Sequence, residues 1–97
     1  MRRPSGIRFQ RSTQALSRRV GADLLVTTPS DVEVHELRGG AVAVWGRLSA
    51  PRTLEELTDQ LAVAHRVPTV QIAGQIADCI DTLVAAGVVE EVPDASD

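Results

Sequence analysis

An α+β domain of winged-helix-like plan, three short antiparallel strands followed by three helices, is the fold class this 97-residue sequence predicts. Three observations carry it. Short runs compatible with strands, separated by Gly and Pro turns, fill the chain from Gln14 to Leu37. After Gly39-Gly40 the apolar residues recur every three or four positions as far as Gly87. The length allows one domain, and with Phe9 and Trp45 the only aromatics its core has to be aliphatic.

Residues 1–13 contain Pro4, Ser5 and Gly6 without apolar periodicity. They are expected to be a flexible basic arm ahead of a domain over 14–92, with an acidic tail over 93–97. Ala15, Leu16, Arg18 and Val20 fit a short first strand from Gln14 to Val20, and Gly21-Ala22 makes the turn. Asp23 to Thr28 reads as the second strand, because Leu25, Val26 and two β-branched threonines favour a pleated surface. Thr28-Pro29-Ser30-Asp31 is a β-turn with Pro at its second position. Val32 to Leu37 returns as the third strand, with alternation broken between Val34 and Leu37.

The first helix, Gly39 to Leu48, buries Ala41, Val44, Trp45 and Leu48 on one face, opens without a good cap at Arg38, and stops at Ala50-Pro51. The second begins with a capping box, Thr53 and Glu56, and Leu54, Leu57, Leu61 and Ala64 line its buried face. The third follows Pro68 with Thr69 as its cap and ends at Gly87. Its apolar residues form two stripes. Ala73, Ile76, Ile80, Leu83 and Val84 should face the core, while Ile72 and Cys79, with Gln75 between them, turn partly away. Val88 to Val92 adds a short closing strand.

Composition excludes several classes. One cysteine, Cys79, forbids an internal disulfide and gathers no metal-ligand cluster. No apolar run approaches a membrane span, and no hydrophobic segment backs the basic N-terminus to make a signal peptide. A cytoplasmic protein is expected. His35 and His65 stand thirty residues apart in different elements with no nucleophile or carboxylate spaced to serve them, so no catalytic site and no cofactor is expected.

The charge is uneven. Six of the ten Arg precede the first acid, Asp23, and residues 23–97 carry four Arg against thirteen acids, a net of −9. The arm reads as a solubilising tail or as a segment that docks on an acidic partner or nucleic acid. From Thr53 to Gly87 Arg66 alone opposes five acids, a surface that repels a polyanion. Because three helices beside a small sheet is also the winged-helix DNA-binding plan, a regulator of that kind is the alternative reading, against which this charge speaks. A plain protein-interaction module is a third.

A strand at a sheet edge can pair with an extended peptide, and the outward stripe of the third helix offers apolar pockets beside it. The order of elements points the same way: a strand ending in Val-His-Glu-Leu, a small-apolar run ending in Trp45, Pro51-Arg52-Thr53-Leu54-Glu55-Glu56-Leu57, then Leu83 to Val89. It resembles the PqqD-like proteins, the stand-alone RiPP recognition elements, over roughly residues 14 to 91. The resemblance implies a non-catalytic peptide chaperone that holds the leader of a ribosomally made precursor along the third strand, under the third helix. It implies peptide contacts at Val32, Glu33, Val34, His35 and Glu36 on the strand and at Ile72, Gln75, Ile76 and Cys79 on the helix. Leu37 and Trp45 match core positions, while Arg38 departs from the family's usual cap. The implied partners are the leader peptide and a maturation enzyme such as a leader peptidase, a cyclase or a radical-SAM enzyme. The Val-His-Glu-Leu to Trp spacing is closer to the lasso-peptide elements.

Overall fold

The computed structural model describes residues 6–29 and 34–92. Six strands and three helices follow in the order β1 (Arg8–Arg11), β2 (Leu16–Val20), β3 (Asp23–Thr27), β4 (His35–Leu37), α1 (Gly40–Arg47), β5 (Arg52–Thr53), α2 (Leu54–His65), α3 (Thr69–Ala85) and β6 (Val89–Val92). They form two antiparallel three-stranded sheets, ordered β2-β3-β4 and β5-β1-β6, with the helices contributing the rest of an α+β core.

The first sheet follows the sequence reading. A two-residue turn at Gly21-Ala22 joins β2 to β3, with Val20 opposite Asp23. Leu24 and Val26 of β3 are buried while their neighbours are half-buried, as alternation requires. Of the third predicted strand, His35–Leu37 is a strand, Val34 precedes it outside the ladder, and Val32 and Glu33 lie outside the described residues.

The second sheet corrects the expected flexible arm. Arg8–Arg11 is a strand paired with both β5 and β6, and Phe9 at its centre is 1% exposed. Arg11 reaches further. Its guanidinium donates to the Trp45 carbonyl at 2.7 and 3.1 Å and stacks 4.9 Å from the indole centroid. Arg52 donates to the Arg47 carbonyl at 2.5 Å. Two guanidinium groups thus satisfy carbonyls of the last turn of α1, where the helix dipole favours positive charge. The basic residues at 8 and 11 are part of the fold, and 1–5 lie outside the described residues.

The helix ends show local chemistry at work. α1 begins after Gly39, whose φ of 54° and ψ of −119° suit only glycine, and it has no side-chain cap. The capping box of α2 forms as read: Glu56 N–H donates to Thr53 Oγ1 at 3.1 Å and Thr53 N–H to Glu56 Oε1 at 2.8 Å. That backbone hydrogen bond from Thr53 is the main cause that lowers the Glu56 carboxyl pKa. A depressed folded-state pKa gives stability that is present above the unfolded carboxylate range and lost as the pH falls through the folded value. Thr53→Ala is expected to cost about 0.5–2 kcal/mol through loss of the side-chain cap, whereas Glu56→Gln should flatten this acid-side dependence, read by urea unfolding between pH 3 and 6.

Two expectations about the caps and faces are corrected. Pro68, not Thr69, is the N-cap of α3, because its fixed φ of −65° suits the position and its carbonyl accepts from Gln71 N–H. On α2 the buried face is Leu57, Thr58, Leu61 and Ala62, while Ala64 is exposed and Leu54 half-buried. The Thr58 hydroxyl donates to the Leu54 carbonyl at 2.8 Å, which lets it sit inside. At the end of α3, Gly87 at φ 80° completes a Schellman pair, Gly87 N–H to Val84 O and Val88 N–H to Leu83 O. α2 ends the same way on Arg66, at φ 57° and ψ 46°. A side chain there is strained, so Arg66→Gly should raise stability by about 0.5–1 kcal/mol, seen as a higher Tm.

The core gathers Phe9, Leu24, Val26 and Leu37 from the sheets with Val44, Trp45, Leu48, Leu57, Leu61, Ile76, Ile80 and Leu83 from the helices. Val88 and Val89 close it beneath β1.

Candidate functional site

β4 is an edge. It pairs with β3 through Leu24 opposite Leu37, Leu25 opposite Glu36 and Val26 opposite His35, and its other side carries no strand among the described residues. Directly opposed residues share a face, so His35 and Leu37 lie on the side of Val26 and Leu24, the core side. Leu37 is buried and His35 half-buried. Glu36 lies on the outer face, paired with Arg38 at 2.5 Å, and Arg38 also reaches Asp23 at 3.5 Å. Val34 is 59% exposed. The broken alternation of the sequence is resolved here: the strand proper starts at His35, and the apolar Val34 stands outside it.

Three residues beyond β4 a cavity of about 310 Å³ opens between the helices. Gly40, Ala41, Ala43 and Val44 of α1, Leu61 and His65 of α2, and Ile72, Gln75, Ile76 and Cys79 of α3 line it. All four helix residues singled out in the sequence therefore meet in one place. Ile76 forms part of the buried core, whereas Ile72 and Cys79 are half-buried and Gln75 exposed. The two-stripe reading of α3 holds at Ile76, Ile80 and Leu83 and fails at Ala73, which is exposed. The strand residues Val34, His35 and Glu36 are not in the cavity lining; they stand at the edge that leads to it through Gly39-Gly40.

Sequence reasoning did not single out the floor contributed by α1 and α2. The signal was present in Gly40-Ala41-Val42-Ala43, where small side chains leave room against α3. A Cβ placed on Gly40 would meet nothing within 4 Å. In the sequence His65 is a lone histidine. It arrives at the cavity because α2 brings its last turn against Ile72 and Gln75.

The chemistry of the lining is that of a receptor for apolar groups. Its polar side chains are His65 and Gln75. Burial raises the Cys79 thiol pKa, so its sulfur presents to the cavity as a small apolar surface and not as a thiolate. Among the described residues, no group of three or more His, Cys, Asp or Glu is placed to hold a metal ion, and no helix is long and apolar enough to cross a membrane. A strand edge that can donate and accept hydrogen bonds, joined to an apolar recess, can hold an extended chain and bury one or more of its side chains.

Three comparisons bear on this geometry. The family model described as Coenzyme PQQ synthesis protein D (PqqD) matches residues 25–89. Among solved structures, the chain is similar to one described as TbiB1 in complex with the TbiA(beta) leader peptide. The TM-score is 0.73 at 15% identity, over 84% of this chain and 94% of that one. At that identity the likeness is one of fold. No curated protein matches the chain.

Proposed function

Because this chain belongs to the PqqD family, we propose that it is a non-catalytic peptide chaperone, which binds the leader of a ribosomally synthesised precursor and presents it to a maturation enzyme. The observation that carries the reading is the β4 edge leading into the apolar cavity between α1, α2 and α3. The leader adds as a strand along Val32 to Glu36, and its apolar anchors enter the recess lined by Ile72, Gln75, Ile76 and Cys79. That the solved structure of like fold holds a leader peptide supports this occupant.

The magnitudes suit the role. Two or three buried aliphatic anchors at about 1.5–3 kcal/mol each and a few strand hydrogen bonds at about 0.5–1.5 each exceed the roughly 2–5 kcal/mol needed to order a flexible leader. Toward the upper end of these ranges the surplus reaches the roughly 8 kcal/mol that corresponds to micromolar binding. The maturation enzyme is a leader peptidase, a cyclase or a radical-SAM enzyme, in the cytoplasm. The Val-His-Glu-Leu to Trp45 spacing favours a lasso-peptide pathway.

The test is a titration of a labelled cognate leader, with duplex DNA as the control. Micromolar or tighter binding of the leader alone is expected. Proline scanned through His35 and Glu36 should abolish binding at whichever residue turns its N–H away from β3, since proline has no donor to give the guest. Binding of DNA in preference to the leader would instead establish a winged-helix regulator. The net of −4 over Thr53 to Gly87 speaks against that outcome.

A further inference from the structure

The β2-β3-β4 sheet has a second edge that the proposed cleft does not use. All five residues of β2 are exposed, Leu16 by 68% and Val20 by 52%. The register sets Arg18 opposite Leu25 and Arg19 opposite Leu24, so neither guanidinium faces a carboxylate across the ladder. Asp23, opposite Val20 and diagonal to Arg18, is held by Arg38 at 3.5 Å. Among the described residues neither Arg18 nor Arg19 makes an ion pair. The strand carries two cations, no acid, and two large apolar side chains in water.

Charge decides what can pair with it. Antiparallel association with a second copy about the middle of β2 would set Arg18 against its own counterpart, and like charges directly opposite are destabilising. On one face Leu16, Arg18 and Val20 alternate apolar, cationic, apolar. A guest strand complementary to that row is apolar at two positions and acidic between them. We propose that the β2 edge is a docking site for an extended acidic segment of a second protein, added as a strand along Leu16–Val20. β2 and β4 flank β3 on opposite sides, roughly 10 Å apart at about 4.8 Å per strand. The β2 site can therefore be filled while the β4 edge is occupied, and it stands whether or not the guest at β4 is a leader.

Amide shift mapping of the full chain with a seven-residue peptide that carries valine, glutamate and valine on one strand face, with serine at the alternate positions, tests this, with the peptide carrying lysine in place of the glutamate as its counterpart. The glutamate peptide is expected to shift residues 16–20 and their partners 23–27. Its affinity should fall at least tenfold in Arg18→Glu/Arg19→Glu and decline as salt is raised. Because these side chains are exposed, the variant should keep its amide spectrum elsewhere. An equal response to the lysine peptide, shifts on 34–37 without 16–20, or no response at all would overturn the proposal. So would self-association of the chain that the same double variant leaves unchanged.

Discussion

Replacing Trp45 by alanine should leave the domain at or beyond the limit of stability. The indole is 4% exposed, in contact with the core through the buried face it shares with Val44 and Leu48. Large-to-small changes of this kind cost about 3–5 kcal/mol, against a total of about 5–15 kcal/mol for a whole domain. A second loss follows from position. The ring carries the Arg11 guanidinium on its face, and that guanidinium holds the Trp45 carbonyl in the last turn of α1. Without the ring, the tie between β1 and α1 keeps its hydrogen bonds and loses its stacking surface. Thermal unfolding followed by circular dichroism should show a Tm lower by tens of degrees, or no cooperative transition. A Tm within a few degrees of the parent would mean that Trp45 is not the keystone of this core.

A charge placed in the cavity should separate binding from folding. Ile72→Asp or Cys79→Arg sets an ion at a half-buried position of the lining, where it can still reach water in the free protein. When the guest's apolar anchor enters, that ion has to be desolvated without a partner, which is costly. Leader affinity is expected to fall at least tenfold, about 1.4 kcal/mol, with the unfolding transition little changed. Ile80→Asp is the control. Ile80 is fully buried on the core stripe of the same helix, and there an unpaired charge should unfold the chain. Loss of folding in Ile72→Asp as well would return that position to the core.

Most of the fold could be read locally because its signals are local. The Thr53–Glu56 box, the Gly21-Ala22 turn and the glycine at 87 each act within one turn of chain, and each stands where it was expected. β1 could not be read this way. Arg8–Arg11 contains one apolar residue, Phe9, and becomes a strand only because Val89–Val92, about eighty residues on, pairs with it. β5 is two residues long and exists only as the partner of that same strand. Ile72 and Cys79, with Gln75 between them, were legible because a 17-residue helix that is apolar beyond one face must place the excess somewhere, while Ile76 was expected at the recess only through the resemblance. His65 and the small residues of α1 were not, since only the packing of α1 and α2 against α3 brings them to the same recess. The misplaced face of α2 has a similar cause. Thr58 looks polar in sequence, and its burial depends on a hydrogen bond to Leu54 that sequence does not display.

The central claim is that one extended guest lies along β4 and reaches into the helical recess. Amide chemical-shift mapping with the cognate leader tests it most directly, since each amide reports its own surroundings. The account predicts shifts gathered on residues 34–37 of the strand and 72–79 of α3, with smaller changes at Gly40 to Val44, where α1 lines the same recess. Shifts confined to β1 and β6, or shifts that appear only when duplex DNA is added, would contradict it.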